Sequence, residues 1–534
     1  MYQAEMFKNW VSFTIFLLAV ISGKASLLHR FAVGSCSNPN RGGKIWRMID
    51  SYTPDHLVLL GDVVYADYEA MGKVTPELPG KIDREFAILS RDKHWNKLRA
   101  SVPHWSITYD DHDYGCNNGD KTFLYRNFSQ NAFRAFAKDS YEGFDSHATN
   151  GVYSSKLIEV PTANGGTLTY KLIMLDTRSN KDPKATPDGD FLGEEQWAWL
   201  TAELSDTSPD LILLGSSIQV LSDDKIVEES WSEFPLMRAR ILKLVTAASL
   251  RTNVVLLTGD VHRAEVSHAK CTFTANNEDL QIKTDVWDLT SSGLAHTLRY
   301  VTDDVALTSR EDYEDNDSAP FTVPVKSRNF VLEGADIIYQ VSHKDSFCGY
   351  YSCASSSQRF FPSLSFLLFL QFAYPGYFRE NGHADAFSNV HFALLDIVTT
   401  EDTATGLQLE FKVISHANKE VIRKVLPLRT KQELFEAHSA EGTTQMQFDE
   451  AVRLIGSGDE TVQVLCEPHW GFVPLWREVW YRAVVALAMM FFLVLPALAI
   501  MWYVGAAVYY IVRGAELVRR DELEQRYREH KKST

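Results

Sequence analysis

Four short apolar runs punctuate the first half of the chain, and each stops at a polar residue: Leu57-Val58-Leu59-Leu60-Gly61-Asp62, Leu172-Ile173-Met174-Leu175-Asp176, Leu211-Ile212-Leu213-Leu214-Gly215-Ser216 and Val254-Val255-Leu256-Leu257-Thr258-Gly259-Asp260. Short runs of Val, Ile and Leu bounded by Gly predict strands covered on both faces. Between residues 31 and 300 they alternate with helix-compatible stretches, among them Gly193 to Leu200 and Leu236 to Ala248. That alternation predicts an α/β layered domain. An acidic stretch at 303–318 reads as solvated loop, and Asn389 to Val398 and Leu407 to Ser415 read as later strands closing the same domain. Ligands in such folds gather beyond the carboxyl ends of the strands, so the acidic residues that end these runs are the first candidates for chemistry.

Both ends of the chain carry the pattern of membrane handling. Lys8 precedes an apolar core from Val11 to Ile21, followed by Gly23-Lys24-Ala25. Residues 1–25 therefore read as a removable secretory signal, with a short signal anchor as the alternative. A charge-free stretch from Ala483 to Val512 is long enough to cross ~30 Å of hydrocarbon and predicts one C-terminal transmembrane helix. Trp470, Phe472, Trp476, Trp480 and Tyr481 crowd its amino-terminal flank, while Arg513, Arg519, Arg520, Arg526, Arg528, Lys531 and Lys532 follow it. The positive-inside rule then puts residues 26–465 in the lumen, 466–482 beside the membrane and the tail 513–534 in the cytosol, a single-pass type I arrangement.

The chain ends Lys531-Lys532-Ser533-Thr534, which resembles the dilysine address that coat proteins read to return type I proteins to the endoplasmic reticulum. The alternatives are a solvated helix end and residence elsewhere in the secretory pathway or at the plasma membrane.

Composition narrows the partners. With 534 residues and 45% hydrophobic content the chain can bury a substantial core. Its net charge of −16 argues against a nucleic-acid partner, which calls for a basic face. Six cysteines, Cys36, Cys116, Cys271, Cys348, Cys353 and Cys466, are too sparse for a disulfide scaffold. Asn127-Phe128-Ser129 and Asn316-Asp317-Ser318 are candidate glycosylation acceptors. The apolar segment 360–370 is too short to span a bilayer and is given no role.

The candidate chemistry lies in Gly61-Asp62-Val63-Val64-Tyr65 and Gly259-Asp260-Val261-His262, each at the end of a predicted strand. A carboxylate there can bridge two metal ions, a nearby phenolate can bind one, and Asp260 and His262 can reach the same cleft. Ala32-Val33-Gly34-Ser35-Cys36, Tyr109-Asp110-Asp111-His112-Asp113-Tyr114-Gly115, Leu175-Asp176-Thr177-Arg178, Leu192 to Trp197, Gly215 to Gln219 and Thr290-Ser291-Ser292-Gly293 complete an ordered set. Taken together these segments resemble the PhoD-like family of alkaline phosphatases, related to purple acid phosphatases among the metallophosphoesterases.

The resemblance implies a four-layer αββα metallophosphoesterase-like sandwich and a phosphate-ester substrate, with two ions, Fe³⁺ with Ca²⁺ or with Mn²⁺, Mg²⁺ or Zn²⁺. It implies ligands Cys36, Asp62, Tyr65, Asp260 and His262, and a residue between Asp110 and Asn118, for which Asn117 is chosen over Asn118. Cys36 is then a ligand and stands outside any disulfide, and thiolate and phenolate suit a ferric ion while carboxylates and an amide oxygen suit a harder divalent one. His112, flanked by Asp111 and Asp113, is the candidate general acid, oriented and kept protonated by a carboxylate partner. Arg178 reads as a phosphate clamp or as an ion pair with Asp176. Gln219 stands where related enzymes often place a histidine ligand and is left out of the ligand set. Trp197, Trp199 and Trp231 read as core. Two other readings remain: a phosphodiesterase acting on lipid or glycolipid head groups, and a silent scaffold that keeps the fold.

Overall fold

The computed structural model describes residues 26–295, apart from 42, 68–74, 139, 141–150, 163–164, 184–185, 187, 223–227 and 275–280, and then 386–400, 405–438, 449, 453, 463–468 and 495–533. The signal 1–25, the acidic stretch 303–318, Asn316 and the segment 360–370 lie outside the described residues. In chain order the strands are β1 (Leu27–Gly34), β2 (His56–Leu60), β3 (His104–Thr108), β4 (Ser154–Pro161), β5 (Thr167–Met174), β6 (Leu211–Ser216) and β7 (Asn253–Thr258). They continue with β8 (Ala264–Thr274), β9 (Gln281–Ser291), β10 (Ala386–Phe387), β11 (His391–Thr399), β12 (Leu407–Ser415), β13 (Glu420–Pro427) and β14 (Gln463–Pro468).

They form two mixed sheets. One runs β13-β12-β11-β1-β2-β3 and the other β10-β8-β9-β7-β6-β5-β4, with β14 also paired to β8. The β1-β2-β3 and β5-β6-β7-β9 ladders are parallel, so their carboxyl ends open on a common edge of each sheet. β11 lies antiparallel to β1, with Ala32 opposite Leu394, which places a strand from late in the chain at the centre of the first sheet.

Side-chain alternation assigns the layers. Val58 and Leu60 of β2 join Leu395 and Leu409 in a core between the sheets, facing Leu172, Leu213 and Leu257 of the second sheet. The alternate residues Leu57 and Leu59 face outward onto Trp46, Phe86, Leu98 and Phe133 of the helices Lys44–Ser51, Leu78–Arg91, Lys93–Ser101 and Arg126–Ala137. On the far side Ile212, Leu214 and Leu256 pack on Trp197, Leu200, Ile241 and Val245 of the helices Gly193–Ser205 and Pro235–Ser249. The order is helix, sheet, sheet, helix. A strand buried on both faces has no polar position to spare, which is why these runs are apolar without alternation. Truncating one such leucine to alanine removes contacts on the order of 2–5 kcal/mol.

Trp197 and Trp231 are fully buried, as expected of core, and Trp199 packs at a tilt against Tyr153. Cys271 and Cys466 form a disulfide that ties β14 to β8, and Cys36 is a buried free thiol. Asn127 is exposed in its helix, but the Ser129 hydroxyl of that acceptor triplet is buried and donates to the Tyr114 carbonyl at 2.6 Å.

A separate compact unit contains the helix Leu495–Ser533, 39 residues long. No helix among the described residues is long and apolar enough to cross a membrane. Of the expected span 483–512, residues 483–494 lie outside the described residues, and 495–512 begin a helix that continues without a break through the basic tail.

Candidate metal centre

Five strand ends deliver the candidate residues. β1 ends before Cys36, β2 before Asp62, β3 before Asp110, Asp111 and His112, β7 before Asp260 and His262, and β9 before Ser292. Three groups of donor atoms lie within 4.8 Å of one another: Cys36, Asp62 and His262; Asp62, Asp111 and His112; and Asp62, Asp110, Asp111 and Asp260. Asp62 belongs to all three, the placement a bridging carboxylate needs. Its Oδ1 accepts the His112 backbone N–H at 3.2 Å, and the Cys36 Sγ lies 3.6 Å from its Oδ2.

The backbone is strained where the donors stand. Cys36, Asp62, Asp260 and His262 have φ of +60°, +53°, +70° and +54°, and Asn118 has +54°. An L-residue held there costs roughly 1–3 kcal/mol. Gly61 at φ +93° and Gly259 make the turns possible: a Cβ on Gly61 would sit 2.5 Å from that of Asp110, and one on Gly259 only 2.6 Å from the Ser35 hydroxyl.

Charge inside the site is one-sided. Asp62, Asp110, Asp111 and Asp260 are all buried, and Asp110 Oδ2, Asp111 Oδ1 and Asp260 Oδ2 have no hydrogen-bond partner among the described residues. Burial, reinforced by neighbouring carboxylates, pushes the Asp62 and Asp260 carboxyls well up. Burial lifts Asp110 to about 6 although the Arg178 guanidinium opposes it. Burial acts on Asp111 in the same direction, but His112 and Arg178 outweigh it and hold that carboxyl at about 2. Burial, then the Asp62 charge, raises the Cys36 thiol, and burial raises the Tyr65 phenol. Unpartnered carboxylate oxygens beside a thiol and an imidazole fit cations: oxygen donors suit a hard divalent ion, and Cys36 with His262 suits a transition-metal ion.

Tyr65 closes the first group, its hydroxyl 3.3 Å from His262 Nε2 and its ring 4.3 Å from that of His112. His112 Nδ1 is 2.7 Å from Asp67 Oδ1. Its carboxylate partner is thus Asp67, not the flanking Asp111 or Asp113, because successive residues of a helical turn do not face each other. Asp113 instead accepts the backbone N–H groups of Val64 and Asp110. Burial opposes protonation of His112, but Asp67, Asp111 and Asp62 together push its pKa well up.

Arg178 is fully buried, and its guanidinium is held by Asp110 and Glu229 rather than by Asp176, which accepts its backbone N–H. Glu229 also binds Lys181, which donates to the Asn118 carbonyl at 3.0 Å. Asn117 is half-buried in the same loop, where Asn118 donates its N–H to Asp111 Oδ2 at 2.6 Å. Gln219 donates to the Thr290 hydroxyl at 2.8 Å. Asp110 lies inside a segment already singled out in the sequence, but the contribution of Asp67 rests on the turn after Asp62, and Glu229 sits in a stretch without periodicity.

Alkaline phosphatase D of Bacillus subtilis (strain 168) is 26% identical over 209 residues, covering 34% of this chain and 35% of that protein, so the chain matches about a third of its relative's length. A solved structure titled "Structure of PhoD" covers 81% of this chain and 78% of its own at 15% identity, with a TM-score of 0.38, too low to bear on the fold. The profile described as "PhoD-like phosphatase" matches residues 31–322, more than half of the chain and every strand end that carries a donor, and the chain therefore belongs to the PhoD-like phosphatase family.

Proposed function

We propose that this protein hydrolyses phosphate mono- or diesters at a dinuclear metal centre in which Asp62 joins the two ions. One observation carries the reading: Asp62 stands in all three donor groups, among buried carboxylate oxygens with no other partner. Cys36, Tyr65 and His262 would hold one ion, and Asp110, Asp111, Asp260 and the Asn117 amide the other. Bound there, the pair would supply Lewis acidity and a lowered water pKa. The protein's own groups do the rest. His112, engaged at Nδ1 by Asp67, gives a proton to the leaving oxygen. Arg178 and Lys181, tied through Glu229, offset the carboxylate charge and fix Asp110; a clamp on substrate by Arg178 would require its guanidinium to leave Asp110 or Glu229.

Metal analysis of the purified protein, with p-nitrophenyl phosphate and its bis ester as substrates, tests the reading. Asp62→Asn should lower metal content and reduce turnover by about 10³-fold or more, whereas near-normal turnover in the folded, metal-replete variant would sink the bridging role. Retention of the whole donor set speaks for an enzyme over a silent scaffold.

We further propose a tether: residues 483–512 span a membrane, with the catalytic part lumenal and the Lys531-Lys532 tail returning the protein to the endoplasmic reticulum. Support comes from exposed Met501, Trp502, Tyr503, Val508 and Ile511 on the helix, and from a disulfide, which suits an oxidising compartment. A lipid or glycolipid head group as substrate rests on this tether. Release of the full chain from membranes by alkaline carbonate would overturn it.

A further inference from the structure

Thr290-Ser291-Ser292-Gly293 runs off the end of β9 and supplies no metal donor, yet one of its hydroxyls touches two candidate ligands. Ser292 Oγ accepts the backbone N–H of His262 at 2.8 Å and lies 3.0 Å from Cys36 Sγ. A thiolate has no proton to give, so in the ligated form the hydroxyl of Ser292 donates to sulfur while its lone pair holds His262. All three residues are buried. Their chain segments are also joined by backbone hydrogen bonds: Ser292 N–H to the Arg263 carbonyl at 3.2 Å, Gly293 N–H to Ser35 at 3.2 Å and Ala295 N–H to Cys36 at 3.0 Å. Ser35 Oγ is placed differently, 3.6 Å from the sulfur and within 3.3 Å of the Ser291 carbonyl.

We infer that Ser292 is a positioning residue that locks Cys36 and His262 into one ligand pair and tunes the thiolate by the shorter of the two hydroxyl contacts to its sulfur. The inference rests on the metal reading above, and it adds a distant anchor to the left-handed backbone of His262, whose amide bonds both the Asp260 carbonyl at 2.9 Å and the Ser292 hydroxyl. A donor on a coordinating thiolate lowers the energy of the sulfur lone pairs, so its loss moves sulfur-to-metal charge transfer to lower energy.

Titration of the metal-stripped full-length protein with Co²⁺, followed by the thiolate-to-cobalt band in the near ultraviolet, tests this. Ser292→Ala should weaken Co²⁺ binding by about 10–100-fold and shift the band to longer wavelength. Ser292→Thr keeps the hydroxyl and should restore both, and Ser35→Ala should leave the band in place. A folded Ser292→Ala protein with the wild-type affinity and band overturns the inference, as does a red shift in Ser292→Thr equal to that in the alanine variant. Should Ser292→Ala fail to fold, Ser292→Gly, which also lacks the hydroxyl, is read in its place against Ser292→Thr. No Co²⁺ binding by the wild-type protein would instead bring down the metal reading, and this inference with it.

Discussion

At the scale of single residues, the site is costly to make and is held by groups outside the donor set. Four candidate ligands sit at positive φ, and each is stabilised by bonds from another segment, as His262 is by Ser292. Asp67 plays a similar part for His112: at 2.7 Å from Nδ1 it selects the tautomer that leaves Nε2 for the reaction. If His112 protonates the leaving group, Asp67→Asn should slow an alkyl phosphate by at least about 10-fold more than p-nitrophenyl phosphate, whose leaving group needs little help. Equal loss on both substrates would mean that Asp67 serves structure alone.

Among elements, the strand that closes the described part of the domain is fastened covalently. β14 has six residues, pairs with β8 alone among the described residues, and is clasped there by Cys271–Cys466 across 195 residues of sequence. Closing so long a loop restricts the unfolded chain strongly, and removal of such a bridge typically costs about 2–5 kcal/mol. The double variant Cys271→Ser with Cys466→Ser should lower the denaturant midpoint accordingly while leaving Co²⁺ binding intact, because neither cysteine belongs to the donor groups. An unchanged midpoint would show that the bridge contributes nothing to stability.

For the whole molecule, buried histidines outside the donor set impose an acid limit on stability. His391 gives its Nδ1–H to the Asn389 carbonyl at 2.6 Å, its Nε2 has no partner among the described residues, and burial drops its pKa from 6.5 to about 4. The unfolded chain therefore takes up this proton first as pH falls. Stability from His391 is complete above pH 6.5 and is lost on descent toward pH 4, by up to roughly 3 kcal/mol. His29, lowered to about 4 chiefly by burial, acts in the same direction. His391→Asn keeps a donor for the same carbonyl and should flatten the fall in melting temperature between pH 6.5 and 4; an identical slope in the variant would refute this assignment.

The sequence alone was enough for the elements whose signal is local. Strands buried on both faces read as unbroken apolar runs, so β2, β5, β6 and β7 and the ligands at their ends were legible, as were the helices Gly193–Ser205 and Pro235–Ser249. β13, where exposed Glu420 and Arg423 and half-buried Lys424 surround the two buried positions Ile422 and Leu426, carried too mixed a pattern to be read as a strand, and nothing in β11 itself reveals that it lies beside β1. Tertiary structure decided the partnerships: Asp67 rather than a flanking aspartate for His112, Glu229 and Asp110 for Arg178, Ser292 for the Cys36 and His262 pair. The physical reason is that burial of a strand or helix is written in the hydrophobic pattern along one chain segment, whereas a hydrogen bond or an ion pair depends on which segments the folded sheets bring within 3 Å of each other.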